Sequence, residues 1–242
     1  ISTVRSQGGE TALQGTRVGH WSRTCASRPG QLLLGGAHRL VRERHGAAGG
    51  VGMAAVDLGK HFGARVIATA GSQDKVDALT ARGVDAVINY TQSDGSLGGF
   101  REAVKSLTDG NGADVIFDPV GGSVFDESMR CINWGGRLLT IGFTSGVWPK
   151  AAVNHILIKQ IAVIGVRAGE VGRRDPILGQ ECRKAIFDLL CEGAIDPYIY
   201  QTYPLEEGVK AMQALQSRAV IGKSVLTMNG YDCEPTTPSS IN

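Results

Sequence analysis

The stretch "RERHGAAGGVGMAAVDLGKHFGA", residues 42–64, decides the fold. From Gly46 rightward it reads as a turn of small residues opening a helix. Small residues let the backbone bend sharply and approach a pyrophosphate, and the next helix aims its free N–H groups, about half a positive charge, at the anion. The close helix–strand crossing needs the last glycine, Gly52. Such a turn should be fed by a buried apolar strand, yet Arg42, Glu43, Arg44 and His45 precede it. Burying three charges mid-sheet would cost on the order of several kcal/mol each unless they were paired. Residues 42–45 are therefore expected to fail as the first strand. The run "QLLLGGA" at 31–37 competes for that role, with residues 38–45 as a loop.

A glycine turn alone is weak evidence, and the series of elements after it lends it weight. Beyond Gly46 the pattern alternates. "VGMAAVDLGKHFGA" is helical, "RVIATA" a strand, "SQDKVDALTARG" a helix opened by an N-cap Ser72, and "DAVINY" a strand. The alternation continues through "GGFREAVKSLTDGNGA", "DVIFDPV", "GSVFDESMRCI", "GRLLTIGF", "NHILIKQ" and "IAVIGVRA". A long amphipathic helix, an extended piece, a helix and the strand "GKSVLTM" close it. Strands such as "VIFDPV" are apolar on both sides, as a sheet covered on both faces requires. The predicted fold is α/β, a doubly wound parallel sheet with its ligand site at the carboxyl ends of the strands, where the strand order reverses.

Composition sets the outer bounds. The chain has 242 residues, 42% of them hydrophobic and 20% charged, and 34 are glycine. No apolar run reaches the roughly 18 residues of a membrane span. The cysteines Cys25, Cys131, Cys182, Cys191 and Cys233 form no CxxC pair, so free thiols in a reducing cytoplasm are expected, and no metal site. Residues 1–45 carry seven Arg, two Glu and no Lys or Asp, a net of +5, whereas residues 46–242 carry 18 basic and 21 acidic residues, a net of −3. With one aromatic and no dense basic run, the head is not read as a nucleic-acid arm. The expected divisions are an atypical head at 1–45, a dinucleotide-binding domain at 46–174, C-terminal helices and a strand at 175–229, and a disordered tail at 230–242.

The end of the second strand bears on the cofactor. NAD-selective sites place Asp or Glu about 20 residues past the turn to hold the ribose 2′-hydroxyl. Here the strand ends "ATAGSQDK", with Ser72 and Lys75 and no carboxylate on the strand end. A hydroxyl and an ammonium suit a 2′-phosphate, which points to NADP(H). The plainer reading makes Ser72 only an N-cap and Lys75 a solvated helix residue.

Taken in order, "HGAAGGVGMAAVDLGKHFGARVIATAGSQDKVD", "GVDAVINY", "GADVIFDPVGG", "GGRLLTIGFTSG", "IGVRAGEVGRRDP" and "VIGKSVL" resemble the quinone oxidoreductase, zeta-crystallin-like branch of the medium-chain dehydrogenase/reductase superfamily. The resemblance implies that Ala48, Gly49, Gly50 and Val51 hold the pyrophosphate, and that Ser72, Lys75 and Tyr90 bind the 2′-phosphate. It places Val120 and Gly121 by the cofactor ribose, Gly142 and Phe143 by the nicotinamide, and the "GVRAG" turn on the far wall. Asp118 reads more plainly as a buried turn former. The activity implied is zinc-independent, NADPH-dependent hydride transfer to a quinone or activated alkene, with a possible homodimer.

Family members carry an N-terminal GroES-like domain that supplies much of the substrate pocket, and residues 1–45 do not resemble it. The head is thus expected to be wholly or partly non-native and the chain truncated, so the catalytic residues are not identified. The alternative is an inactive NADP(H)-binding module. No Tyr-x-x-x-Lys pair supports a short-chain dehydrogenase, and no acid at the second strand end supports a methyltransferase.

Overall fold

The computed structural model describes residues 41–44, 46–91 and 98–228. The stretch 31–37 and the tail from 230 lie outside the described residues. Six parallel strands form one sheet: β1 (Val41–Arg44), β2 (Arg65–Ala70), β3 (Ala86–Asn89), β4 (Ala113–Asp118), β5 (Ile132–Thr140) and β6 (Ala162–Gly165). Their order is β3-β2-β1-β4-β5-β6, so the direction of winding reverses between β1 and β4. The helices between them are α1 (Gly50–His61), α2 (Gln73–Ala81), α3 (Arg101–Leu107), α4 (Gly122–Cys131) and α5 (Val153–Lys159).

Right-handed crossovers put α1 and α2 on one face and α3, α4 and α5 on the other. The two apolar clusters respect that division. Met53, Val56 and Leu79 pack on Val66 and Ala68. Val104, Val124, Phe125 and Met129 pack on Ile116 and Leu138, with Ile156 against them.

The expectation that Arg42, Glu43 and Arg44 fail as a strand is overturned. Val41–Arg44 is the central strand, with Arg42 paired to both Val66 and Val115, and Glu43 to both Ile67 and Ile116. The physical reason lies in the backbone. Ladder hydrogen bonds use groups that every non-proline residue carries, and leaving the slot empty would strip partners from two buried strands at once. The glycine turn therefore has the adjacent strand it requires.

The C-terminal part contains α6 (Ala168–Arg174), α7 (Pro176–Cys191), β7 (Ile199–Pro204), a 3₁₀ turn at Leu205–Glu207, α8 (Gly208–Gln216) and β8 (Lys223–Thr227). Strands β7 and β8 pair in parallel as a separate two-stranded sheet. The "GVRAG" turn differs from expectation, because helix α6 begins inside it at Ala168. Asp175 then caps α7 by accepting the Leu178 N–H at 3.0 Å. Arg82 ties this part to the sheet domain: it grips Asp57 of α1 through two donors, at 3.0 and 2.8 Å, and also donates to the Asp196 carbonyl. No helix among the described residues is long and apolar enough to cross a membrane.

The crossing of turn and helix is closest at Gly52. A Cβ there would lie 2.4 Å from the Gly46 carbonyl oxygen and 2.5 Å from the Ala47 Cα, both rigid backbone. Gly52→Ala should therefore lower stability by about 1–3 kcal/mol, read as a lower denaturant midpoint at unchanged m-value.

Candidate functional site

The site assembles at the carboxyl ends of the strands, where winding reverses. Gly46 takes a positive φ of 55° and turns the chain out of β1. The Gly49 N–H returns to the Gly46 carbonyl at 3.0 Å, and the Gly49 carbonyl accepts the Met53 N–H at 2.8 Å. No side chain caps α1. Of the expected pyrophosphate residues, Ala48 is buried, Gly49 and Val51 are exposed and Gly50 is half-buried, so the mouth of the turn faces solvent. An uncapped helix N-terminus with accessible backbone is a fit for an anion.

The C-terminal strand reaches this turn, a contact that the sequence does not foretell. Gly222 donates its N–H to the Ala48 carbonyl at 2.7 Å and forms a parallel bridge with Gly49. A Cβ on Gly50 would lie 2.9 Å from Lys223 Cγ and 3.0 Å from Lys223 Nζ. An exposed ammonium thus stands over the helix N-terminus. The motif "VIGKSVL" is visible in the sequence, but its contact with a turn near residue 50 has no local signature.

A second group of polar side chains lies beyond the end of β2. Ser72 occupies the N-cap position of α2, as expected, but its hydroxyl makes no cap hydrogen bond. Lys75 Nζ donates to the Arg218 carbonyl at 2.9 Å. Burial, and then the neighbouring Arg218 guanidinium, holds the Lys75 ammonium below the ordinary lysine value. Tyr90 is held beside β2 by its N–H on the Ala70 carbonyl at 3.0 Å, and a Cβ on Gly71 would come within 3.2 Å of its hydroxyl. Burial pushes the Tyr90 phenol up, with Arg218 opposing. The structure therefore brings Ser72, Lys75 and Tyr90 to one corner and adds Arg218, which sequence reasoning misses. Arg218 sits at a positive φ of 59°, just past α8, 143 positions from Lys75. Two cations and a phenol around an uncommitted hydroxyl make a pocket edge suited to a phosphate dianion.

The third part is a pair of turns. Asp118, at the end of β4, accepts the Val120 and Gly121 N–H groups on Oδ1 at 2.8 and 2.9 Å. Its reading as a buried turn former agrees with this geometry. Val120 faces the glycine turn, since a Cβ on Gly46 would lie 3.4 Å from its Cγ2. The loop after β5 is laced to the β4 turn: the Ile141 N–H reaches the Asp118 carbonyl at 2.8 Å, and Thr144 and Ser145 reach those of Pro119 and Val120 at 3.0 Å each. Gly142 lies in this lacing, and Phe143 is 41% exposed beside Trp148, with ring centroids 6.4 Å apart. Among the described residues no three His, Cys, Asp or Glu side chains gather as metal ligands would.

The arrangement has counterparts. The profile of the zinc-binding dehydrogenase family matches residues 50–184. The chain is 34% identical over 201 residues to a quinone oxidoreductase-like protein 2 homolog of Nematostella vectensis, covering 82% of this chain and 51% of that protein. Among solved structures, a Pseudomonas syringae pv. Tomato DC3000 quinone oxidoreductase superposes with a TM-score of 0.68 at 26% identity, over 82% of this chain and 60% of that one. The CurK enoyl reductase does so with a TM-score of 0.66 at 25% identity, over 78% and 55%. The chain thus spans about half the length of the curated relatives it matches. The chain belongs to the zinc-binding dehydrogenase family, in the quinone oxidoreductase branch of the medium-chain dehydrogenase/reductase superfamily.

Proposed function

We propose that this chain is the cofactor-binding part of an NADPH-dependent oxidoreductase whose substrate is a quinone or an activated alkene. The observation that carries the reading is the corner beyond β2, where no carboxylate ends the strand and Ser72, Lys75, Tyr90 and Arg218 gather instead. A carboxylate there would hold a 2′-hydroxyl and repel a 2′-phosphate, whereas paired cations favour the phosphate. Relatives that include a quinone oxidoreductase and an enoyl reductase support the substrate class.

In this reading Ala48, Gly49, Gly50 and Val51 present backbone to the pyrophosphate, and Lys223 adds a cation from the C-terminal strand. Val120 and Gly121 line the ribose, and Gly142 and Phe143 approach the nicotinamide. Bound NADPH would supply the hydride that the acceptor takes up. The residues of this chain bind and orient the cofactor, and Lys75 and Arg218 select its phosphorylated form.

Isothermal titration of the purified chain with NADPH, followed by a quinone and enone turnover assay, tests the reading. Binding with turnover is the expected result, binding without turnover reassigns the chain to a cofactor-binding module, and no binding overturns it. Lys75→Glu should weaken NADPH by about tenfold or more while changing NADH by much less. Equal losses for both would refute the 2′-phosphate assignment. Lys223→Ala should behave differently, weakening NADPH and NADH by a similar factor of about three to ten, because the pyrophosphate is common to both.

A further inference from the structure

We propose that Asp118 is the positioning residue of the nicotinamide half of the site, acting through the two backbone N–H groups it holds on one carboxyl oxygen. The inference rests on the cofactor reading above and deepens it.

Asp118 is fully buried, with a relative exposure of 0%. Oδ1 accepts from both Val120 and Gly121, while Oδ2 has no hydrogen-bond partner among the described residues. A buried carboxyl oxygen left without a partner is costly, so the group is retained for what Oδ1 does. The turn that Oδ1 closes has little conformational preference of its own. Gly121 sits at a positive φ of 72° and Gly122 at 57°, conformations without strong intrinsic preference in glycine. Gly121 must also stay bare, because a Cβ on it would meet the Phe143 ring at 3.0 Å and the Val147 carbonyl at 3.1 Å.

The closed turn is itself the template for the next loop. The carbonyls of Asp118, Pro119 and Val120 accept the N–H groups of Ile141, Thr144 and Ser145. One oxygen atom therefore fixes the first turn directly, and through it the loop bearing Gly142 and Phe143. The corner at Ser72, Lys75 and Arg218 is built from the start of α2 and the end of α8, away from the Asp118 turn. Burial pushes the Asp118 carboxyl above the ordinary range, with the Gly121 and Val120 N–H groups pulling the other way. A neutral group that keeps the acceptor should thus serve in its place.

The test compares the full chain with Asp118→Ala and Asp118→Asn, titrated with NADPH and with 2′,5′-ADP, which carries the adenosine 2′-phosphate and no nicotinamide. Asp118→Ala should weaken NADPH by about tenfold or more and leave 2′,5′-ADP within about twofold, whereas Asp118→Asn should bind both nearly as the parent does. A folded Asp118→Ala variant that loses both ligands together overturns the proposal. So does an Asp118→Ala variant that binds NADPH normally, or an Asp118→Asn variant as impaired as Asp118→Ala. If Asp118→Ala does not fold, Asp118→Ser, which retains a hydroxyl acceptor, carries the same comparison by the same criteria. A parent chain that binds neither ligand overturns the cofactor reading itself, and this inference with it.

Discussion

Everything in this molecule is arranged around the closeness of one backbone to another at the mouth of α1. The Gly46 carbonyl and the Gly52 Cα pass with no room for a single carbon between them. That contact fixes how steeply the helix leaves the sheet, and hence where its uncapped N–H groups point. A helix tilted away by an ångström or two would lose both the packing of Met53 and Val56 on β2 and the common focus of its N-terminal dipoles. The reversal of winding between β1 and β4 then leaves the crevice in front of those dipoles open.

Around that crevice the site is built from strand ends rather than from one motif. The glycine turn supplies backbone donors, the end of β2 supplies a hydroxyl and an ammonium, and β4 and β5 supply two laced turns. The C-terminal segment contributes Arg218 and Lys223, both beyond residues 50–184 of the family match. Its attachment combines polar ties, namely a backbone hydrogen bond to Ala48, a lysine on a carbonyl and the Arg82 grip on Asp57 and Asp196, with Ile221 packed against the apolar cluster of α1 and β2.

Much of this is legible in the sequence because it is local. The period of apolar residues marks each strand and helix of the sheet domain from β2 onward, and the missing acid after "ATAG" can be read directly. Three features are not legible, for distinct reasons. Side-chain charge argues against a strand at Val41–Arg44, although pairing is a property of backbone. The first two residues of helix α6, Ala168 and Gly169, fall in the expected "GVRAG" turn, and a helix of seven residues carries too short a pattern to register. Arg218 and Lys223 are invisible as site residues because their partners are more than a hundred positions away, and no spacing rule spans that distance. Ser72 falls where the sequence puts it, yet only the folded geometry distinguishes a hydroxyl that caps from one that does not.

The separation of 143 positions between Lys75 and Arg218 has a consequence for how the protein comes into being. The sheet around β1 and β2 can begin to form as soon as β4 is made, but the corner of Lys75 and Arg218 and the lysine over α1 wait for the chain beyond residue 216. Contacts of such long range impose a large loop-closure cost before they return anything. A chain made only as far as β4 therefore has its glycine turn but lacks Arg218 and Lys223, which the later segment brings to the site.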